Sequence, residues 1–191
     1  PSPICVPARA AIATGKYVHQ TGYWDNAMAY DGRVPGWAHQ LQGAGVKTTS
    51  IGKLHYRAKE VPTGFDEQIA PLHIFEGVGQ VWGSVRNPLP SEPRKGRMLG
   101  QIGAGYSTSN AYDDRICDET VAWLENAAGV PTPWLLFSSF VAPHFPLTVS
   151  QEYLDLYDPA TIPLPEARAE RGYRLHPWMQ RRQAYCDHDA S

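Results

Sequence analysis

The sequence has 191 residues, 42% of them hydrophobic and 19% charged, with a formal net charge of −2. That balance suits a folded globular chain and argues against disorder. It offers no basic stripe for nucleic acid, and the longest apolar run, Trp134 to Ala142, is strand-length rather than membrane-spanning.

In chain order, Pro1 to Pro7 reads as a turn leading into a helix over Ala8 to Thr14. Pro7 suits a first helical turn, where its missing N–H is not needed, and Gly15 is a natural stop. Lys16 to Gly32 is expected to be loop. A second helix is predicted from about Pro35 to Gln42, ended by Gly43 and Gly45, and then a short strand over Val46 to Ile51. This helix–glycine–strand order is the grammar of an α/β sheet. From Glu60 to about Asn110, Pro and Gly recur, and the segment is expected to be an extended loop or insertion. Asp113 to Ala128 predicts an amphipathic helix with Ile116, Thr120, Trp123, Leu124 and Ala127 on its core face, and Cys117 counted among the buried residues. Trp134 to Val141 is apolar at both parities up to its serines, as expected of a central strand covered on both faces. Ligands in open α/β sheets sit beyond the carboxyl ends of strands. Gly52-Lys53 and Pro143-His144 therefore fall where a site belongs.

The three cysteines, Cys5, Cys117 and Cys186, form neither a zinc-type pattern nor a disulfide framework. Cys5 stands apart because it opens Cys5-Val6-Pro7-Ala8-Arg9 at the start of the first predicted helix. A side chain there feels the positive end of the helix dipole, which favours an anion. Arg9, four residues on, shares the helix face and can hold negative charge beside it. These residues alone leave three readings open: an anion site, a reactive thiolate, or a buried cysteine beside a surface arginine.

The stretch Cys5 to Tyr17 resembles the sulfatase signature, Cys-x-Pro-x-Arg followed by a short helix ending in Thr-Gly, although many members have Ser where Ala8 stands. Gly52-Lys53-Leu54-His55 resembles the family's Gly-Lys-x-His element, and Pro143-His144-Phe145-Pro146 its Pro-His-x-Pro element. Asp25-Asn26-Ala27 is similar to a stretch of choline-sulfatases and their phosphonate monoester hydrolase relatives. The resemblance implies an alkaline-phosphatase-like α/β fold, a mixed sheet flanked by helices. Residues 1–191 would be a partial catalytic domain lacking the first strand and the C-terminal part, and too short to act alone.

It further implies that Cys5 is converted to formylglycine by a formylglycine-generating enzyme, and that the aldehyde hydrate attacks a small-molecule sulfate ester. Arg9 would hold the nucleophile, Lys53 and Asn26 the sulfate, His55 would take the nucleophile's proton, and His144 would serve the leaving oxygen. A divalent cation is implied as well, calcium first and magnesium or manganese next, with modified Cys5 as the one recognisable ligand in this chain. His19, His39, His73 and His176 match no site element, and Asp187-His188-Asp189 reads as a solvated turn. Two rival readings stand beside the sulfatase: a phosphonate monoester or phosphodiester hydrolase of the same superfamily, and a non-catalytic anion-binding fragment in which Cys5 stays a thiol. The compartment is left open, with a lean toward the cytoplasm.

Overall fold

A computed structural model describes residues 2–79, 101–164 and 172–186. The chain divides into two compact units, Pro1–Val81 with Tyr112–Val141, and Trp82–Ala111 with Ala142–Ser191.

The first unit is built on a three-stranded parallel sheet of order β2-β1-β4, with β1 at Lys47–Lys53, β2 at Glu67–Leu72 and β4 at Trp134–Ser139. Helices α1 (Cys5–Thr14), α2 (Val18–Thr21), α3 (Trp37–Gly43) and α4 (Thr108–Ala127) accompany it. The central strand is β1, not the more apolar β4. Thr48, Thr49, Ser50 and Ile51 are all buried there, whereas most of β4 is only half-buried and pairs, among the described residues, with β1 alone. Of its buried polar side chains Thr48 is engaged, whereas Thr49 Oγ1 and Ser50 Oγ have no hydrogen-bond partner among the described residues. The Thr48 hydroxyl donates to the Gly64 carbonyl at 2.6 Å, and the Thr48 amide donates to Asp66 at 2.8 Å. Gln42 reaches the same carboxylate, and these hydrogen bonds hold Asp66 below the usual carboxylate range.

Three other expectations are corrected. Helix α1 starts at Cys5, three residues before the predicted start, because its cap comes from a distant residue. The N-cap Ile4 provides no side-chain bond, and Asn26 Oδ1 accepts from the Val6 amide instead. Part of the supposed loop after Glu60 is strand β2, which Pro71 and the lack of clean alternation conceal; residues 80–100 of that span lie outside the described residues, as do Asp187, His188 and Asp189. On α4, Ile116 and Ala127 are buried, but Cys117 and Leu124 are exposed. Ile116 faces the sheet over Gly52, so Cys117, about 100° further round the helix, points away.

The core beneath α1 is aromatic. Tyr23, Tyr30 and Tyr56 meet edge to face at 5.3 and 4.7 Å, packed with Ala10, Ala13 and Leu54. Their polar ends are accommodated: Tyr23 donates to Asp31 at 2.6 Å and Tyr30 to the Val34 carbonyl at 2.9 Å. Gly36 passes so close to Ala13 that a Cβ would lie 2.2 Å from its carbonyl oxygen, so α1 and the start of α3 dock through a glycine.

The second unit contains a parallel pair, β3 (Ile102–Ala104) with β5 (Leu147–Val149), and helices α5 (Gln151–Leu154) and α6 (Pro177–Cys186). Ser107 and Asn110 exchange hydrogen bonds across the first turn of α4, a reciprocal cap that explains why this helix begins ahead of its predicted Asp113.

Candidate active site

Within the first unit, Cys5, Arg9, Asn26 and Lys53 are tied together around the N-terminus of α1. Arg9 Nη1 donates to the Lys53 carbonyl at 2.5 Å and to Ser139 Oγ at 3.0 Å. One guanidinium nitrogen thus links α1 to the ends of β1 and β4, leaving the other N–H groups of the fork available. Ser139 was not among the residues the motifs single out. Its one signal is the polar Ser138-Ser139 break at the end of an apolar strand.

Lys53 is only 4% exposed. Burial lowers its pKa; Cys5 and Asp113 pull it back up, and Arg9 pushes it further down. Burial likewise lowers Arg9, against the opposing influence of Cys5, Tyr56 and Tyr112. Two cations beside a helix N-terminus, with the Asp113 carboxylate near Lys53, form a candidate cradle for an anion. Asp113, another residue the motifs do not mark, sits at this end of α4 and accepts from the Val141 amide at 2.6 Å.

The sharp exit from β1 is set by Gly52, whose φ of +95° coincides with a register shift between Ile51 and Lys53 against β2. His55 follows with φ +55°, and both Leu54 and His55 donate their amides to Leu72, at 3.2 and 2.7 Å. The backbone therefore turns between Lys53 and His55, in the left-handed region that non-glycine residues occupy only when their surroundings enforce it.

Asn26 is oriented without ambiguity. Because the Val6 amide can only donate, the atom facing it must be the carboxamide oxygen, and this leaves Nδ2 as a donor at the head of α1. His144 belongs to the second unit, where its Nδ1 lies 2.7 Å from the Phe145 carbonyl. The other described histidines have structural duties. His39 accepts from the Gly36 amide and reaches the Pro62 carbonyl, His73 pairs with Gln68, His19 stacks on Tyr17, and His176 accepts from Trp178.

A parallel α/β sheet thus carries a cysteine at a helix N-terminus, with a flanking arginine and a buried lysine, as a candidate anion site at the strand ends. The chain belongs to the sulfatase family, whose model matches residues 1–189. It is 30% identical over 196 residues to a choline-sulfatase of Rhizobium meliloti, covering 98% of this chain and 38% of that protein. It is 27% identical to the uncharacterized sulfatase YidJ of Escherichia coli, over 82% of this chain and 32% of that one. The chain thus spans about a third of the length of these relatives. Two solved structures share the alkaline-phosphatase-like fold. One is BT4656 in complex with its substrate D-glucosamine-2-N,6-O-disulfate, with a TM-score of 0.55 at 23% identity over 86% of this chain and 30% of that one. The other is the phosphonate monoester hydrolase of Agrobacterium radiobacter, with a TM-score of 0.56 at 21% identity over 86% of this chain and 36% of that one.

Sulfatases generally use a divalent cation, and the described residues do not by themselves bring together a ligand set for one. No group of three or more His, Cys, Asp or Glu side chains converges among the described residues.

Proposed function

We propose that the full gene product hydrolyses sulfate esters of small alcohols, with Cys5, as formylglycine, at the reacting centre. The observation that carries this reading is the Arg9 link, which gathers a second, nearly buried cation, Lys53, to the end of α1 where Cys5 stands. When Cys5 carries the aldehyde, its hydrate supplies an oxygen nucleophile for sulfur and an internal route for releasing sulfate, which a serine would lack.

The chain's own residues do the rest. Arg9 holds the nucleophile through the N–H groups not used on Lys53 and Ser139. Lys53 supplies fixed positive charge to the sulfate oxygens, and Asn26 Nδ2 adds a donor on the same side. His55, carried on the turn beyond Lys53, takes the proton from the nucleophile. His144 is assigned to the leaving oxygen on its motif alone. A cradle already in place before substrate arrives needs little reorganisation as charge shifts in the transition state.

Co-expression with a formylglycine-generating enzyme, followed by the mass of the tryptic peptide that contains Cys5 and ends at Arg9, tests the nucleophile. A loss of about 18 Da is expected, the thiol-to-aldehyde difference that the covalent route requires. An unmodified thiol would return Cys5 to an ordinary cysteine and leave an anion-binding fold. Parallel assays with a sulfate ester and a phosphonate monoester then separate the two hydrolase readings.

Asn26→Asp separates the cap from the chemistry. A carboxylate accepts the Val6 amide well at a helix N-terminus, so the melting temperature should stay within about 4 °C of the parent. The donor facing the sulfate is lost and replaced by negative charge, so kcat should fall about 100-fold or more. Unchanged turnover would remove Asn26 from the site.

A further inference from the structure

Beside the cradle, and wholly within the first unit, lies a cleft of about 260 Å³ bounded by Tyr23, Ala27, Asp31, Arg33, Arg57 and Gly77. We propose that this cleft is a subsite for a second anionic group, so that the alcohol released from the sulfate ester itself carries a carboxylate or another sulfate. The inference rests on the sulfate-ester reading and extends it to the leaving group.

Arg33 is braced by an aromatic ring and Arg57 packs its stem on a glycine, while both side chains remain exposed. Arg33 lies over the Tyr23 ring, 4.9 Å from its centroid, and that ring is buried to 1% exposure. The Arg57 stem runs across Gly77, where a Cβ would stand 3.1 Å from Arg57 Cγ on a backbone with φ +71°. A side chain at position 77 would push Arg57 off the wall. The one carboxylate in the cleft is already committed. Asp31 accepts from Tyr23 Oη at 2.6 Å and from the Arg33 amide at 3.2 Å, and lies 3.9 Å from Arg33 Nε. Arg57 has no carboxylate within ion-pair distance among the described residues. Two guanidiniums against one engaged carboxylate leave net positive charge facing an open cleft, with a fork shaped for an oxyanion.

The cleft also adjoins the site. Ala27 in its wall follows Asn26, whose side chain holds the head of α1. Gly79 packs on the Asn26 carbonyl so closely that a Cβ would lie 1.8 Å away. Arg57 follows Lys53 by one short turn, anchored by its amide to the Tyr30 carbonyl at 2.8 Å. On this proposal the alcohol of a sulfate held by Arg9 and Lys53 extends toward the cleft. A cationic alcohol such as choline would meet like charge there.

The test is calorimetric binding to the full gene product carrying Cys5→Ala, with four probes of similar size. These are propyl sulfate, 3-carboxypropyl sulfate, propane-1,3-diyl bis-sulfate and choline sulfate. The two dianions are expected to bind about tenfold tighter than propyl sulfate, and choline sulfate more weakly. The stronger of the two dianions tells carboxylate from sulfate. Arg57→Gln should bring the dianions to within about twofold of propyl sulfate and leave propyl sulfate itself unchanged, while Arg57→Glu should favour choline sulfate. A parent protein that does not discriminate, or a preference that survives Arg57→Gln, overturns the subsite alone. If none of the four binds, propyl sulfate included, the sulfate-ester reading falls with it.

Discussion

Gly52→Ala is expected to cost the fold about 3 kcal/mol or more, as a left-handed backbone penalty and an overpacking penalty that add at one position. The φ of +95° is one for which an L side chain is strained. Independently, a Cβ would sit 2.3 Å from the Ser139 carbonyl oxygen and 2.6 Å from Ile116 Cδ1. The first neighbour is backbone on β4 and the second is the most buried residue of α4, so neither can yield cheaply. Since Ser139 also receives Arg9, displacing it would loosen the cradle as well as the sheet. Urea denaturation of Gly52→Ala beside Gly45→Ala isolates the packing part. Gly45 has a φ of +77° but nothing within 4 Å of its would-be Cβ. It should lose only the backbone penalty, about 1 kcal/mol. Equal losses at the two positions would show that the contacts to Ser139 and Ile116 carry no weight.

The same glycine shows what can be read from a sequence and what cannot. Its neighbour Lys53 was visible in a short motif, as were Cys5, Arg9 and Asn26, because the chemistry fixes residue types at short spacings. α1, α3, β1, α4 and β4 were likewise legible from local pattern, to within a few residues. What stayed hidden depended on contacts made far along the chain. The cap of α1 comes from residue 26, the partner of Arg9 from residue 139, and Asp113 approaches Lys53 only once α4 has packed. The central place expected for β4 fails for a related reason. β4 is more apolar than β1, but centrality follows from hydrogen-bonded neighbours on both sides, and on β1 the Thr48 hydroxyl is buried where Gly64 and Asp66 engage it. Cys117 was misplaced because an amphipathic stripe read from sequence carries no marker for which of two adjacent residues meets the sheet.

Lys53→Met should make the protein inactive and more stable. Burying an ammonium costs stability that an apolar side chain of similar length does not, and a gain of about 1 kcal/mol or more is expected. Asp113 would not be stranded, since the Val141 amide still donates to it, and the Lys53 carbonyl that receives Arg9 belongs to the backbone. Turnover of a sulfate ester by the full gene product should fall about 1,000-fold, the scale of losing a preorganised charge at the reacting centre. The pH dependence of stability gives the signature of a desolvated ammonium, which a solvated lysine would lack. Burial sets the folded pKa of Lys53 below its unfolded value, so between the two the unfolded chain binds more protons. The burial cost is fully present below the folded pKa and is relieved as pH rises through it. The stability advantage of Lys53→Met should therefore be largest near pH 7 and shrink toward about pH 10, close to the ordinary lysine value. Urea midpoints of both proteins at those two pH values would show it. If Lys53→Met were the less stable protein at pH 7, Lys53 would be a structural cation satisfied by its surroundings, and the positive cradle at the head of α1 would lose its main member.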